Sequence, residues 1–140
     1  MVIRRALACG PLLAIALVAC AGPSREPRPA DHVAVVSGTI TYRERVALRA
    51  DAVVVVQLQD VSRADAPGLV IGEQRIDSPG QVPIRFQIRY DPARIDPERT
   101  YAISARILQG DRLLFLNDTA YRVITRGNPT QVEMLLQLAR

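Results

Sequence analysis

The chain has 140 residues, 49% of them apolar and 23% charged, with two cysteines, one histidine and no tryptophan. This length fits a single domain, and so few cysteines and histidines exclude the zinc sites that need several such ligands. The net charge of +4 comes from interleaved basic and acidic residues with only 4% aromatics, which argues against a nucleic-acid partner.

The first segment has the layout of a secretory signal peptide. Arg4 and Arg5 form a positive start, no charge follows from Ala6 to Val18, and small residues come next. Counted to Gly22, before the first proline of the tether, the uncharged stretch is about 17 residues, whereas a membrane-spanning helix needs roughly 20. We therefore predict that residues 1–19 are removed as a signal peptide rather than retained as an anchor.

Leu17, Val18, Ala19 and Cys20 resemble the lipobox of bacterial lipoproteins. In that family a peptidase cuts before the cysteine, whose sulfur already carries a diacylglyceryl group and whose new amino group is then acylated. The resemblance implies that Cys20 is the lipidated first residue of the mature chain, held on a membrane by several acyl chains. The alternative is ordinary signal cleavage at the Ala-x-Ala pattern around Cys20, which would discard the cysteine.

The residue after the cysteine indicates the destination. In lipoproteins of this kind an aspartate there tends to retain the protein at the inner membrane, and this chain has Ala21 instead. The resemblance therefore implies a lipid-anchored protein of the outer membrane that faces the periplasm. Residues 20–32 are predicted to form the lipidated cysteine and a proline-rich tether, because three prolines and alternating charges leave nothing to pack.

After Asp31 the pattern changes to short apolar runs with a period of two, separated by turn residues. This spacing predicts an all-β domain over residues 33–140, an antiparallel β-sandwich of about seven or eight strands, immunoglobulin-like in general architecture. Four consecutive valines predict a central second strand that is covered on both sides, and Gly72 predicts a bulge in the third. The predicted strands cover residues 33–42, 52–61, 69–76, 83–90, 100–108, 113–116, 121–125 and 132–138.

A local motif precedes the fifth strand. Ile95, Pro97, Thr100 and Tyr101 resemble the corner before strand F of fibronectin type III and immunoglobulin-like domains, where a tyrosine hydroxyl returns to upstream backbone. The alternative is that a strand simply begins with a tyrosine after a proline turn.

Strict alternation fails in the sixth strand, where four apolar residues follow one another from Leu113 to Leu116. Either this strand is covered on both faces, or one face presents an apolar groove to a partner. We take Leu113, Leu114 and Leu116 as the candidate partner surface. An exposed strand edge could also receive a partner segment by strand addition.

The sequence offers little for catalysis or for metal binding. His32 is the sole histidine and sits where the tether joins the domain, so no Ser-His-Asp or Cys-His site is predicted. Asp91, Asp96, Glu98 and Asp111 lack the spacing of an EF-hand, and aspartate before proline is normally a turn device. We predict no catalytic residue, no cofactor and no metal.

The lipobox, the tether and the strand patterns together resemble the YbaY family of lipoproteins. The matching stretches are Ser37 to Leu48, Ala52 to Leu58, Pro83 to Pro92 and Tyr101 to Arg106. The similarity extends to the YscW-type pilotins of type III secretion, which share that domain. The family implies a small outer-membrane lipoprotein with a β-sandwich and no catalytic residues to carry over.

These observations predict a non-enzymatic binding or adaptor module for an envelope component. Pilotins escort secretin subunits to the outer membrane by holding a secretin tail, so the resemblance makes a pilotin-like chaperone the first alternative. A purely structural protein of the envelope is the second. The expected partners are the membrane, through the lipid on Cys20, and an outer-membrane protein such as a secretin subunit.

Overall fold

The computed structural model describes residues 32–140, and strands joined by loops make up this part of the chain. A single short 3-10 helix interrupts them, and no helix within this part of the chain is long and apolar enough to cross a membrane. The elements are β1 Ala34–Tyr42, β2 Ala52–Asp60, β3 Leu69–Asp77, β4 Ile84–Tyr90, the 3-10 helix Pro92–Arg94, β5 Tyr101–Gln109, β6 Arg112–Leu116, β7 Tyr121–Val123 and β8 Gln131–Leu138.

The strands form one sheet in the order β3-β2-β5-β6-β8-β1-β4, and β7 pairs with β5 beside β6. All neighbours are antiparallel except β1 and β8, which run parallel. The sheet curls until its two edge strands, β3 and β4, face each other. At this seam the Gln87 N–H donates to Gln74 Oε1 at 2.6 Å, and a Cβ added at Gly72 would lie 2.7 Å from Ile88 Cγ2. The result is a nearly closed barrel.

The all-β class and the eight predicted strands are confirmed, and each strand lies within two residues of its predicted bounds. The arrangement differs from a sandwich because β6 and β8 join the two halves through Phe115–Leu138 and Leu116–Gln137. A period of two predicts one buried face per strand in either architecture, so it does not distinguish them. The parallel pairing of β1 with β8 also departs from the expected antiparallel arrangement.

Alternate residues of β1, β2, β4, β5 and β8 fill the interior of the barrel, whereas β3 adds only the partly buried Ile71 and Ile76. The bulge predicted at Gly72 is confirmed, since the β2–β3 register shifts at Leu58 and leaves Ile71 as the extra residue. Near one end of the barrel the rings of Tyr42 and Phe115 stack at 4.2 Å. The largest fully buried side chains are Tyr101, Phe115, Ile40, Leu58, Ile88, Ile103, Ile107, Met134, Leu136, Val36, Val54 and Val56.

The strand directions define two ends of the barrel. The Tyr101 end is the end where β1 starts and β2 finishes. The Glu44 end is the opposite one, where β1 finishes and β2 starts. The chain enters the domain through His32 at the Tyr101 end.

The tyrosine corner predicted for the Tyr101 end is confirmed. The Tyr101 hydroxyl accepts a hydrogen bond from the Asp96 N–H at 2.9 Å and donates to the Arg94 carbonyl at 3.5 Å. The ring is almost completely buried. This residue therefore ties the loop before β5 to the interior.

Buried Asp60 organises a second set of bonds at the same end. Its carboxylate accepts hydrogen bonds from the backbone and hydroxyl of Ser62 and from Arg99 Nη1, the last at 2.7 Å. Burial by itself raises the pKa of Asp60, but the bonds from Ser62 and Arg99 outweigh it and hold the pKa below its ordinary value of 3.8. Thr125 extends the network by donating to the Arg99 carbonyl at 2.7 Å.

Candidate partner-binding surface

The predicted lipidation site and its flank, Leu17, Val18, Ala19 and Cys20, lie outside the described residues, as do residues 1–19 and most of the tether. They stay predictions. The described part of the chain begins at His32, at the Tyr101 end of the barrel.

The predicted partner surface in β6 is shaped by a β-bulge. Leu116 faces Arg106 across the β5–β6 ladder, Phe115 faces Ile107, and Leu113 faces Leu108. The register shifts between these last two pairs, so Leu114 is the extra residue. The bulge lets Leu113 and Leu116 both point to the outside although Phe115 between them points to the core.

The three predicted leucines therefore have two different roles. Leu113 and Leu116 each remain 37% exposed on the outer face, whereas Leu114 is partly buried against the core. The sequence alone did not separate them, because a bulge changes the partner of each residue without changing the apolar run itself.

The two exposed leucines extend an apolar area that crosses three strands. Val53 of β2 lies directly opposite Leu108 of β5, which in turn lies opposite Leu113 of β6. Side chains in such pairs are within contact distance on one face of a sheet. We call Val53, Leu108, Leu113 and Leu116 the outer apolar strip.

An arginine-flanked valine adjoins this strip. Val55 is on the outer face, outside the core cluster, yet it is only 5% exposed. Its cross-strand neighbours are Arg75 and Arg106, whose aliphatic stems can cover it while their guanidinium groups stay in water. This supports the prediction that the valine-rich strand is covered on both sides.

The outer face on the other half of the barrel is polar. A shallow groove of about 470 Å³ follows β1 and β4 next to the seam. It is lined mainly by hydroxyl, amide and guanidinium groups, from Ser37, Thr39, Gln74, Arg85, Gln87 and Gln131. Three other exposed apolar side chains, Val33, Leu69 and Val70, lie at the Tyr101 end.

At the Glu44 end, the outer apolar strip leads into a second cleft. This cleft has a volume of about 470 Å³, and Leu116 belongs both to it and to the strip. Leu138, which is 50% exposed, is its other apolar side chain. We call it the Glu44 cleft; its lining residues are Glu44, Leu116, Asp118, Gln137, Leu138 and Arg140.

The Glu44 carboxylate is the unusual group in this cleft. Its Oε2 atom is enclosed and has no hydrogen-bond partner among the described residues. Sequence reasoning missed Glu44 and Leu138, because a glutamate in a polar turn and a leucine at the end of a strand carry no local signal of a site.

The loop that carries Glu44 is held firmly on both sides. The Tyr42 hydroxyl donates to the Val46 carbonyl at 2.6 Å, and the Gln81 amide bonds both the N–H and the carbonyl of Leu48 at 3.0 Å. Burial, and then the nearby Glu44 carboxylate, raise the pKa of Tyr42 above its ordinary value. The position of Glu44 is therefore fixed by its neighbours.

The acidic residues at the Tyr101 end act as turn residues. Asp91 accepts from the Ala93 N–H at 2.8 Å and Asp96 from the Glu98 N–H at 2.9 Å, which are the bonds of Asx turns. In residues 32–140 no group of three or more His, Cys, Asp or Glu side chains is arranged to hold a metal ion.

Three comparisons with known proteins agree with one another. The family described as "Type III secretion system lipoprotein chaperone (YscW)" matches residues 31–136. The uncharacterized lipoprotein YbaY of Escherichia coli is 36% identical over 146 aligned positions, which cover 93% of this chain and 76% of the relative. The resemblance predicted from the strand patterns is thus confirmed.

A similar protein of known structure has the same fold. An alternative pilotin from the type II secretion system of Vibrio cholerae superposes with a TM-score of 0.74 at 42% identity, covering 77% of this chain and 98% of that chain. The matching family model spans nearly all of the described barrel. This chain therefore belongs to the YscW family of lipoprotein chaperones.

Proposed function

We propose that the protein is a pilotin, a lipid-anchored chaperone that holds a segment of a secretin subunit and escorts it to the outer membrane. Membership of a chaperone family and the similarity to a pilotin of a type II secretion system support this role. The protein acts by binding, without turnover of a substrate.

The outer apolar strip is the observation that carries the proposal. Strands of a barrel normally alternate between apolar residues inside and polar residues outside, as β4 does in this protein. The strip breaks that rule on three neighbouring strands, and the bulge in β6 leaves two of its leucines partly exposed on the outer face. A contiguous apolar surface on a small domain is typical of a partner-binding site.

The size of the strip fits an escort that must also release its client. Fully burying a leucine contributes about 1.5 to 3 kcal/mol, and Leu113 and Leu116 are already largely covered. Each would therefore gain about 1 kcal/mol when a client covers it. Durable attachment to the membrane instead comes from the lipid predicted on Cys20.

The proposed location is the periplasmic face of the outer membrane. It is supported by the lipobox-like Leu17 to Cys20, by Ala21 in place of a retention signal, and by the lipoprotein relative. A Cys20→Ser variant is expected to lose its fatty acids and to leave the secretin subunit in the inner membrane.

Site-specific photocrosslinking in intact cells tests the client. A photoreactive residue at Leu113 or Leu116 of the full-length lipoprotein is expected to capture the secretin subunit of the same cell, identified by mass spectrometry. The matched control is the same photoreactive residue at Gln87, which is exposed on the polar face and should capture no secretin.

Membrane fractionation gives the functional readout. With Leu116→Asp the secretin is expected to shift from the outer to the inner membrane, while Gln87→Asp leaves it in place. If secretin capture is equal from both faces, or if the secretin reaches the outer membrane normally without this protein, the proposed function is wrong.

A further inference from the structure

We infer that the Glu44 cleft receives a basic side chain of the bound segment, an arginine or a lysine, next to an apolar side chain that packs on Leu116 and Leu138. This inference rests on the proposed function and adds to it the chemistry of the segment that is held. The outer apolar strip takes the apolar part of that segment, and the cleft takes its positive charge.

The first argument is the state of the Glu44 carboxylate. A charged oxygen that is removed from water without a hydrogen-bond donor destabilises the folded protein, and such groups in native proteins need an explanation. Glu44 is only partly buried, but its Oε2 atom is enclosed and has no donor among the described residues, although the loop around it is fixed by Tyr42 and Gln81. A donor supplied by a partner would complete the bond that the domain itself leaves unmade.

The second argument is charge complementarity. Two carboxylates, from Glu44 and Asp118, line the cleft with one guanidinium, that of Arg140. Among the described residues no ion pair joins Arg140 to either of them, and Asp118 is engaged only by the Thr119 hydroxyl at 3.1 Å. A neutral donor would satisfy the hydrogen bond of Glu44 but would leave this negative charge unbalanced, whereas a cation does both.

The third argument is continuity with the strip. Leu116 lines the Glu44 cleft and also ends the row of apolar side chains on the outer face. A bound segment with an apolar residue on Leu116 therefore brings its neighbouring residue to the cleft. The aliphatic stem of an arginine or lysine can lie along Leu138 while its head reaches the carboxylate.

A peptide-display selection on the full-length lipoprotein, purified in detergent micelles, tests the inference without assuming a client. A random peptide library is selected on the wild type, and each enriched peptide is then measured against Glu44→Gln. The matched control is Glu133→Gln, which removes the same charge from an exposed position on β8.

The enriched peptides are expected to share an arginine or lysine beside an apolar residue. Their affinity should fall about tenfold or more on Glu44→Gln, because the bond from the cation is then made to a neutral amide instead of a carboxylate, and should be unchanged on Glu133→Gln. Replacing the basic residue of the peptide by glutamine should weaken binding to the wild type by a similar factor and should add little to Glu44→Gln. Thermal unfolding of both variants verifies that each is folded.

Two results overturn the inference: enriched peptides without a common basic residue, or equal affinity for Glu44→Gln and Glu133→Gln. The second result would mean that the bound peptide makes no contact that depends on the charge of Glu44. The crosslinking at Leu113 and Leu116 tests the proposed function separately. If the enriched peptides share a basic and apolar motif that depends on Glu44 while no secretin is captured, the inference about the cleft stands, and the secretin is not the client.

Discussion

The two ends of the barrel differ in how their charged groups are satisfied. At the Tyr101 end, Asp60 accepts three hydrogen bonds and Arg99 is paired with it at 2.7 Å. At the Glu44 end the backbone is equally well fixed, yet the Glu44 carboxylate has an enclosed oxygen without a partner among the described residues.

This difference separates stability from binding. Substitutions at the Tyr101 end remove bonds that the folded domain uses, so they should lower the free energy of unfolding. Substitutions in the Glu44 cleft remove groups that the domain leaves unused, so they should alter partner binding with little loss of stability. The following variants test this separation, from the largest expected change in stability to the smallest.

Phe115→Ala should have the largest effect, because Phe115 fills the interior beneath the outer apolar strip. The side chain is fully buried and stacks on Tyr42. Its truncation leaves a cavity and should lower the free energy of unfolding by about 3 to 5 kcal/mol, measured by urea denaturation. The matched variant Leu116→Asp, one residue along the same strand, should cost less than about 1 kcal/mol. Equal losses from both would show that Leu116 belongs to the core.

Tyr101→Phe should come next. It removes only the hydroxyl that bonds the Asp96 N–H and the Arg94 carbonyl. Leaving these part-buried groups without a partner should cost about 1 to 2 kcal/mol in urea denaturation. Tyr90→Phe is the control, because this ring is also buried but its hydroxyl has no hydrogen-bond partner among the described residues. An effect as small as that of the control would mean that the corner does not stabilise the fold.

Asp60→Asn should cost about 1 kcal/mol at neutral pH, because the amide keeps an acceptor for Ser62 but loses the charge that pairs with half-exposed Arg99. The folded state lowers the pKa of Asp60, so it binds fewer protons than the unfolded state. The stabilisation is complete above the ordinary value of 3.8 and is lost as the pH falls through the lowered pKa.

Thermal unfolding of wild type and Asp60→Asn across the acidic range measures this dependence. The difference in melting temperature between the two proteins should be constant around neutral pH and should become smaller below about pH 4. A gap that widens on acidification would contradict the sign of the pKa shift.

Glu44→Leu should change stability least and in the opposite direction. It removes a carboxylate oxygen that has no partner and adds apolar surface beside Leu138, so the melting temperature should be unchanged or slightly raised. Selected peptides should nevertheless lose affinity for this variant. A clear loss of stability would mean that Glu44 supports the fold, and the contrast between the two ends would then be invalid.

Much of this fold follows from local sequence patterns. The alternation from Ile84 to Tyr90 predicts β4 directly, and Pro97 followed by Tyr101 predicts the tyrosine corner. Both features depend on residues that are close together in the chain. The parallel pairing of β1 with β8 could not be predicted in this way, since a strand's own residues do not specify its neighbour.

The candidate site was predictable only in part. The apolar run of β6 indicated a strand with leucines on its outer face, but the bulge that brings Leu113 to the same face as Leu116 depends on how β6 pairs with β5. Glu44 becomes notable only when the ends of β6 and β8 enclose its oxygen. Such a feature arises from tertiary packing, and no short stretch of sequence encodes it.

The position of the last strand has a consequence for biogenesis. β8 lies between β6 and β1, and its bond from Thr41 to the Met134 carbonyl spans 93 residues of chain. The first strand thus has no neighbour on that side until the final residues are available, and contacts between such distant segments form slowly. The pairs of β1 with β4 and of β2 with β3 and β5 can form earlier, but the barrel cannot close around its interior before β8 takes its place between β6 and β1.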